Sequence, residues 1–181
     1  MSRLQAIQQH PALRTWSLMP QMVCHQAGWW ACVLWMGWLG PAVMGLFLTL
    51  HLRMVRQHWR AETRLILLST VLGIGLDNAL GYFGLVTYVG DLLVGQAPLW
   101  LVAIWAGFGA TLRHSQQVFV LSLRSAILTG VLGGPMAYWG GQKLERLTVN
   151  GTPGWVAVGL LWGLVLVALY WATKRHGHTN Q

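Results

Sequence analysis

Few residues in this chain could do chemistry, and where they fall limits what that chemistry is. Asp77 is the one acid inside a long apolar stretch, and Asn78 follows it. Gly73 and Gly81 lie four residues to either side, which puts the acid on a small-residue face that packs against other helices and away from lipid. An ionisable group at membrane depth costs about 3 kcal/mol on insertion scales. Asp77 is therefore a candidate site, for a substrate, a proton or an ion, and otherwise an interhelical hydrogen bond that holds a bundle together.

A second group is imidazole-rich. His25 with Gln26, His51, His114 and Arg124 fall toward the same ends of different apolar stretches. Imidazoles converging from several helices could bind a metal or ligate haem. No HxxxH or HExxH pair accompanies them, so no metal ligand is assigned and no cofactor is predicted. His114, Ser115 and Arg124 read as headgroup or partner contacts, and His176 and His178 as a solvated tail. His25, Trp29 and Cys32 share one helical face at i, i+4, i+7, a candidate pocket wall. Asp77 and His114 do not read as an acid–base pair. At 1.5 Å per residue Asp77 sits roughly 20 Å from the cytoplasmic Arg64, whereas His114 is at the cytoplasmic surface. Partners for Asp77 are expected instead from Trp100, Tyr138 or the loop holding Asp91. Nucleophile elbow, phosphate-binding glycine loop and paired carboxylates are all missing from the sequence, so no catalytic activity is supported.

The elements that must position these groups follow from composition. The 181 residues include 12 Lys+Arg against 4 Asp+Glu, 22 Gly and 12 Trp; 55% are hydrophobic and only 9% charged, for a formal charge of +8. Soluble domains carry about 25% charged residues, and disordered chains are poor in apolar ones, so both classes are excluded. The basic residues lie between apolar stretches, the pattern of membrane topology and not of nucleic-acid binding. Cys24 and Cys32 sit in the first apolar stretch and read as buried thiols. The polar N-terminus has no apolar core or small-residue cleavage site, so the first span is expected to be retained.

Six stretches approach the 20 or so apolar residues that a span needs: Met22 to Trp38, Pro41 to Val55, Leu65 to Thr87, Ala97 to Leu112, Val118 to Trp139 and Trp155 to Thr173. None has the alternation of a barrel strand, so an all-α bundle of six transmembrane helices is predicted. Residues 1–21 form a polar cytoplasmic segment, 22–173 the transmembrane domain and 174–181 a cytoplasmic tail. Arg3, Arg14, Arg53, Arg56, Arg60, Arg64, Arg113, Arg124, Lys174 and Arg175 then share one side, and only Lys143 and Arg146 the other. Both termini should be cytoplasmic. Trp16, Trp38, Trp59, Trp100, Trp139, Trp155 and Trp171 lie near predicted interfaces. Packing faces are read at Ala103, Ala106, Gly107, Ala110 and His114 and at Gly159 and Gly163. Gly133-Gly134-Pro135 should kink or break the fifth span, either to line a cavity or simply to pack.

Gln26-x-Gly28-Trp29, Asp77, Pro98-Leu99-Trp100 through Trp105, His114-Ser115 and Gly133-Gly134-Pro135-x-Ala137-Tyr138 resemble the domain of unknown function 2878 family of small bacterial inner-membrane proteins. The resemblance runs from about Met22 to Tyr170. It implies a multi-pass inner-membrane location and association with lipid-modifying enzymes, and it carries no catalytic signature. The long polar N-terminus and the tandem Trp29-Trp30 depart from the family pattern.

The function expected is to bind or present a hydrophobic substrate, an acyl lipid, in a Trp-rich intramembrane cavity. The substrate-binding candidates are His25, Gln26, Trp29, Asp77, Asn78, Trp100, Trp105 and Tyr138. Membrane lipid and other membrane proteins are the expected partners, and nucleic acid is not. Two alternatives stand beside this reading: a small-solute transporter subunit using Asp77, and a metal- or haem-dependent membrane enzyme using His25, His51 and His114.

Overall fold

The computed structural model describes residues 18–35, 37–91 and 93–175. The N-terminal stretch with Arg3, Arg14 and Trp16, and the tail with His176 and His178, lie outside the described residues. Helix α1 spans Leu18–Leu34, α2 Leu39–Met54, α3 Trp59–Tyr82 and α4 Leu99–Thr111. A continuous rod follows, built from α5 (Leu123–Leu128), a π-helical turn (Thr129–Gly133) and α6 (Gly134–Lys143), and α7 (Gly151–Arg175) ends the described chain. These make six helical rods among the described residues. Two antiparallel pairs of short strands join them: β1 (Val86–Tyr88) with β4 (Leu147–Val149), and β2 (Leu93–Val94) with β3 (Ala97–Pro98).

The strands revise two predicted boundaries. The third stretch, read as helical to Thr87, ends at Tyr82, and Val86–Tyr88 pairs with Leu147–Val149. Three-residue strands are too short for an alternation that sequence could reveal. The fourth helix opens at Leu99 because Ala97–Pro98 belongs to a hairpin whose turn is made by Gly95, at φ +71°. At the other end, α1 begins at Leu18, inside the segment predicted to be a polar extension, and buries Gln21 completely.

Two helical stretches, Arg56–Tyr82 and Gly151–Lys174, are long and apolar enough to cross a membrane. Helices α2 and α4 are apolar but have 16 and 13 residues. At 1.5 Å per residue α4 covers about 20 Å, short of a hydrocarbon core of about 30 Å.

The short α4 is the axis of the molecule. It is apolar all round, as a helix enclosed by others must be, and α1, α2 and α3 pack on it. Helix α7 packs on α3 and on the π-containing rod. Small residues allow the close approaches. A Cβ at Gly73 would overlap the Trp105 ring, one at Gly130 would lie 2.6 Å from the Gly163 Cα, and Gly109 backs onto Ser69 and Ile66. The Gly133-Gly134-Pro135 step does not interrupt the rod. Pro135 has no N–H for the carbonyl of Val131, the helix widens into the π turn just before it, and that carbonyl faces Gly159 of α7.

Candidate functional site

Asp77 is fully buried on the inner face of α3. Its Oδ2 accepts the indole N–H of Trp105 at 2.7 Å, and its Oδ1 accepts the hydroxyls of Tyr88 at 2.8 Å and of Tyr138. The three donors come from three separate elements. Trp105 reaches from α4, across the space that Gly73 leaves open. Tyr138 comes from α6, and Tyr88 from β1, which is held over the end of α3 by its pairing with β4. Burial, and then the carboxyl group beside it, push the Tyr88 hydroxyl well above its usual range, so it remains a donor. The arrangement commits the Trp105 N–H and both tyrosine O–H groups to Asp77, and fixes the rings that carry them.

Those rings form one wall of a cavity of about 250 Å³. The floor is α4, with Trp100, Leu101, Ile104, Trp105 and Phe108; one side is α1, with His25, Gln26, Trp29 and Val33. The opposite side is the π-containing rod, where Thr129, Gly133, Ala137 and Gly141 line the space at successive four-residue steps. Small side chains along that row leave the volume that the aromatic groups surround. Trp162 of α7 closes the back, tilted on Trp105 at a centroid distance of 4.5 Å and edge-on to Phe108 and Tyr138. Gln26 and Ala137 at the rim are exposed, so the cavity opens sideways between α1 and the rod.

A second polar cluster sits elsewhere, at the end of the bundle where α2 turns into α3. Glu62 is 2% exposed, with Oε2 3.5 Å from Nε2 of His51 and Oε1 3.4 Å from Nε2 of His114 and 3.6 Å from Nη1 of Arg113. Gln21 of α1 completes it. Its Oε1 accepts the Ser115 N–H at 3.0 Å, and its Nε2 donates to the Ala110 carbonyl at 3.2 Å and faces Nδ1 of His51 at 3.2 Å. The cluster joins α1, α2, α3 and the end of α4 in one polar lock.

The ligand atoms of His51, Glu62 and His114 lie within 4.8 Å of one another, a spacing that suits a metal ion. The hydrogen bonds do not suit one. A backbone N–H only donates, so the Gln21 oxygen must face Ser115 and its NH₂ must face His51. Nδ1 of His51 is then the acceptor and Nε2 carries the proton. A metal would need the Nε2 lone pair, so the residues present favour an ion-paired carboxyl group over a metal centre.

The family model described as protein of unknown function (DUF2878) matches residues 18–168. The chain belongs to the DUF2878 family. No curated protein and no solved structure matches it.

Of the site residues predicted from sequence in this DUF2878 chain, His25, Gln26, Trp29, Trp100, Trp105 and Tyr138 all line this cavity. Asp77 stands behind its wall. Asn78 faces away, accepting the Gln96 N–H at 2.6 Å and donating to Val94 at 3.0 Å, so it braces the β2–β3 turn. Asp91 is exposed in the loop, and Trp100 donates to Val89 and not to Asp77. Trp100, placed at an interface from sequence, is buried. Of the three imidazoles, His51 and His114 come together with ring centroids 5.2 Å apart, whereas Phe47 stands between His25 and His51 at centroid distances of 5.8 and 6.0 Å. His114 and Ser115 turn inward to Glu62 and Gln21, and Arg124 is exposed. Sequence reading missed Glu62 because Arg60 and Arg64 beside it suggest a charged turn. The signal was its spacing to Ser69, Gly73 and Asp77, which puts it on the inner face of α3.

Proposed function

We propose that this chain is a multi-pass inner-membrane protein of six spans, both termini cytoplasmic, that holds a lipid in the lateral cavity between α1 and the π-containing rod. The observation that carries the reading is the cavity itself, a wall of aromatic rings with small residues opposite and a mouth facing sideways. Ligand sites are concave and largely apolar with a few placed polar groups, which is how this one is built. The location rests on composition, on the two helices long enough to cross a membrane, and on large apolar side chains turned outward, among them Leu46, Leu67, Val71, Leu128, Leu132, Leu160 and Leu164. A sideways mouth between helices in a bilayer opens onto lipid and not onto water. Holding a lipid there suits a protein that presents it to lipid-modifying enzymes in the same membrane. The solute-carrier reading has less support, because both oxygens of Asp77 are taken by protein donors.

The test is native mass spectrometry of the purified protein with analysis of the extracted lipid. A lipid retained at about one per chain, and lost when Ala137 is replaced by Trp to fill the mouth, is the expected result. Retention of annular lipid alone, unchanged by Ala137→Trp, would overturn the reading.

A further inference from the structure

Two side chains on the cavity wall carry buried polar groups that the protein leaves unmet. His25 is 4% exposed and lines the cavity, yet neither ring nitrogen has a hydrogen-bond partner among the described residues. Phe47 meets its ring edge to face. The indole N–H of Trp162, also on the cavity wall, is unmet as well. Buried polar groups are nearly always satisfied, so exceptions aimed into a cavity ask for a ligand atom. Together they offer two donors and, on the neutral imidazole, one acceptor. Trp105 and Tyr138 have given their own donors to Asp77 and present only ring faces and a hydroxyl lone pair.

The same surroundings decide the charge of what binds. No Lys or Arg among the described residues lines the cavity, so an anionic head would be desolvated without a counter-charge from them. It would also lie one ring away from the Asp77 carboxyl group. A cationic head fares no better, because the Asp77 carboxyl group behind the wall is covered by its three donors. Size narrows the choice again. About 250 Å³ falls just below the roughly 300–1,000 Å³ of ordinary small-molecule sites, room for a head and the start of a tail but not for a whole lipid.

Resting on the reading of the cavity as a lipid site, we propose that His25 and Trp162 form a polar anchor for an uncharged lipid whose head is a carbonyl group. The carbonyl oxygen accepts from the imidazole N–H or the indole N–H, the aromatic walls flank the head, and the tail leaves through the mouth at Gln26 and Ala137. Two lipid chemistries share that head, a quinone ring and an acyl ester.

The experiment uses the full chain in nanodiscs and four probes with the same ten-carbon tail: a decyl benzoquinone, methyl decanoate, decanoate and decylbenzene. Binding is followed by calorimetry to the wild type, His25→Phe, Trp162→Phe and Ala137→Trp. Both Phe variants keep a ring and remove the nitrogens. At least one of the two neutral carbonyl probes should bind about tenfold more tightly than decylbenzene, and His25→Phe should erase that advantage while leaving decylbenzene unchanged. A preference for the quinone or for the ester identifies the source. Tightest binding by decanoate, or carbonyl probes no better than decylbenzene, would overturn the anchor while leaving the cavity reading intact. If decylbenzene also fails to bind, or binds Ala137→Trp equally well, the cavity reading falls with it.

Discussion

Replacing Asp77 by Asn changes a single atom and sets the donors of the nest against one another. An amide keeps one acceptor oxygen and presents an NH₂ where the other was, so either Trp105 or the tyrosine pair meets a donor. The expected loss is about 1–3 kcal/mol, read as a thermal transition several degrees lower in detergent, with weaker binding of apolar probes as the ring wall loosens. An unchanged transition would mean that the three donors do not meet at this carboxyl group. Gln21 makes the corresponding argument for the polar lock. With Gln21→Glu, a carboxylate replaces the NH₂ facing His51, the imidazole proton moves to Nδ1 and Nε2 is freed. Zn²⁺ at micromolar concentration should then raise the thermal transition of the variant while leaving the wild type unmoved; equal shifts in both would refute the tautomer assignment. Of the two buried acids at the centre of these clusters only Asp77 was visible in the sequence, because a lone acid in an apolar run stands out. Glu62, flanked by arginines, becomes conspicuous only when the inner face of α3 is traced one turn past the apolar stretch.

Helix packing was more legible than helix length. The stripes Gly73, Asp77, Gly81 and Gly159, Gly163 are close-approach faces in the fold, because a missing side chain leaves a trace at helical spacing that a reader can follow. The π turn was only half visible: Pro135 announces a lost hydrogen bond, but whether the rod bends, breaks or widens depends on what packs against the freed carbonyl. Here Gly159 lies against it. The β1–β4 pair was invisible, since Val86-Thr87-Tyr88 looks as apolar as the helix before it. The packing faces make a sharp prediction. A side chain at Gly130 must enter the backbone of Gly163, which cannot move aside, whereas one at Gly45 meets nothing within 4 Å. Gly130→Leu should cost about 3 kcal/mol or prevent folding, and Gly45→Ala should be neutral or mildly stabilising, both by thermal unfolding in detergent. Equal effects at the two positions would mean that α7 and the rod do not approach as described.

At the scale of the molecule, charge and geometry separate two ends. Arg64 of α3, Arg113 after α4 and Thr173 of α7 line one small cleft, so the arginine-rich turns gather at a single end. At the other, Arg146 donates to the Val33 carbonyl in the last turn of α1 at 2.5 Å, where a cation suits the helix dipole. Basic residues favour the cytoplasmic side, so the cleft end should face inward and the end bearing β1 to β4 outward. Gln57 and Asp91 are exposed at these opposite ends. In a background with Cys24 and Cys32 replaced by Ser, Gln57→Cys should resist a membrane-impermeant maleimide applied to intact spheroplasts and react once they are opened. Asp91→Cys should react without opening. The reverse pattern would invert the orientation and place His25 nearer the opposite leaflet, and labelling of both from outside would rule out a bundle with its two ends on opposite faces of the membrane.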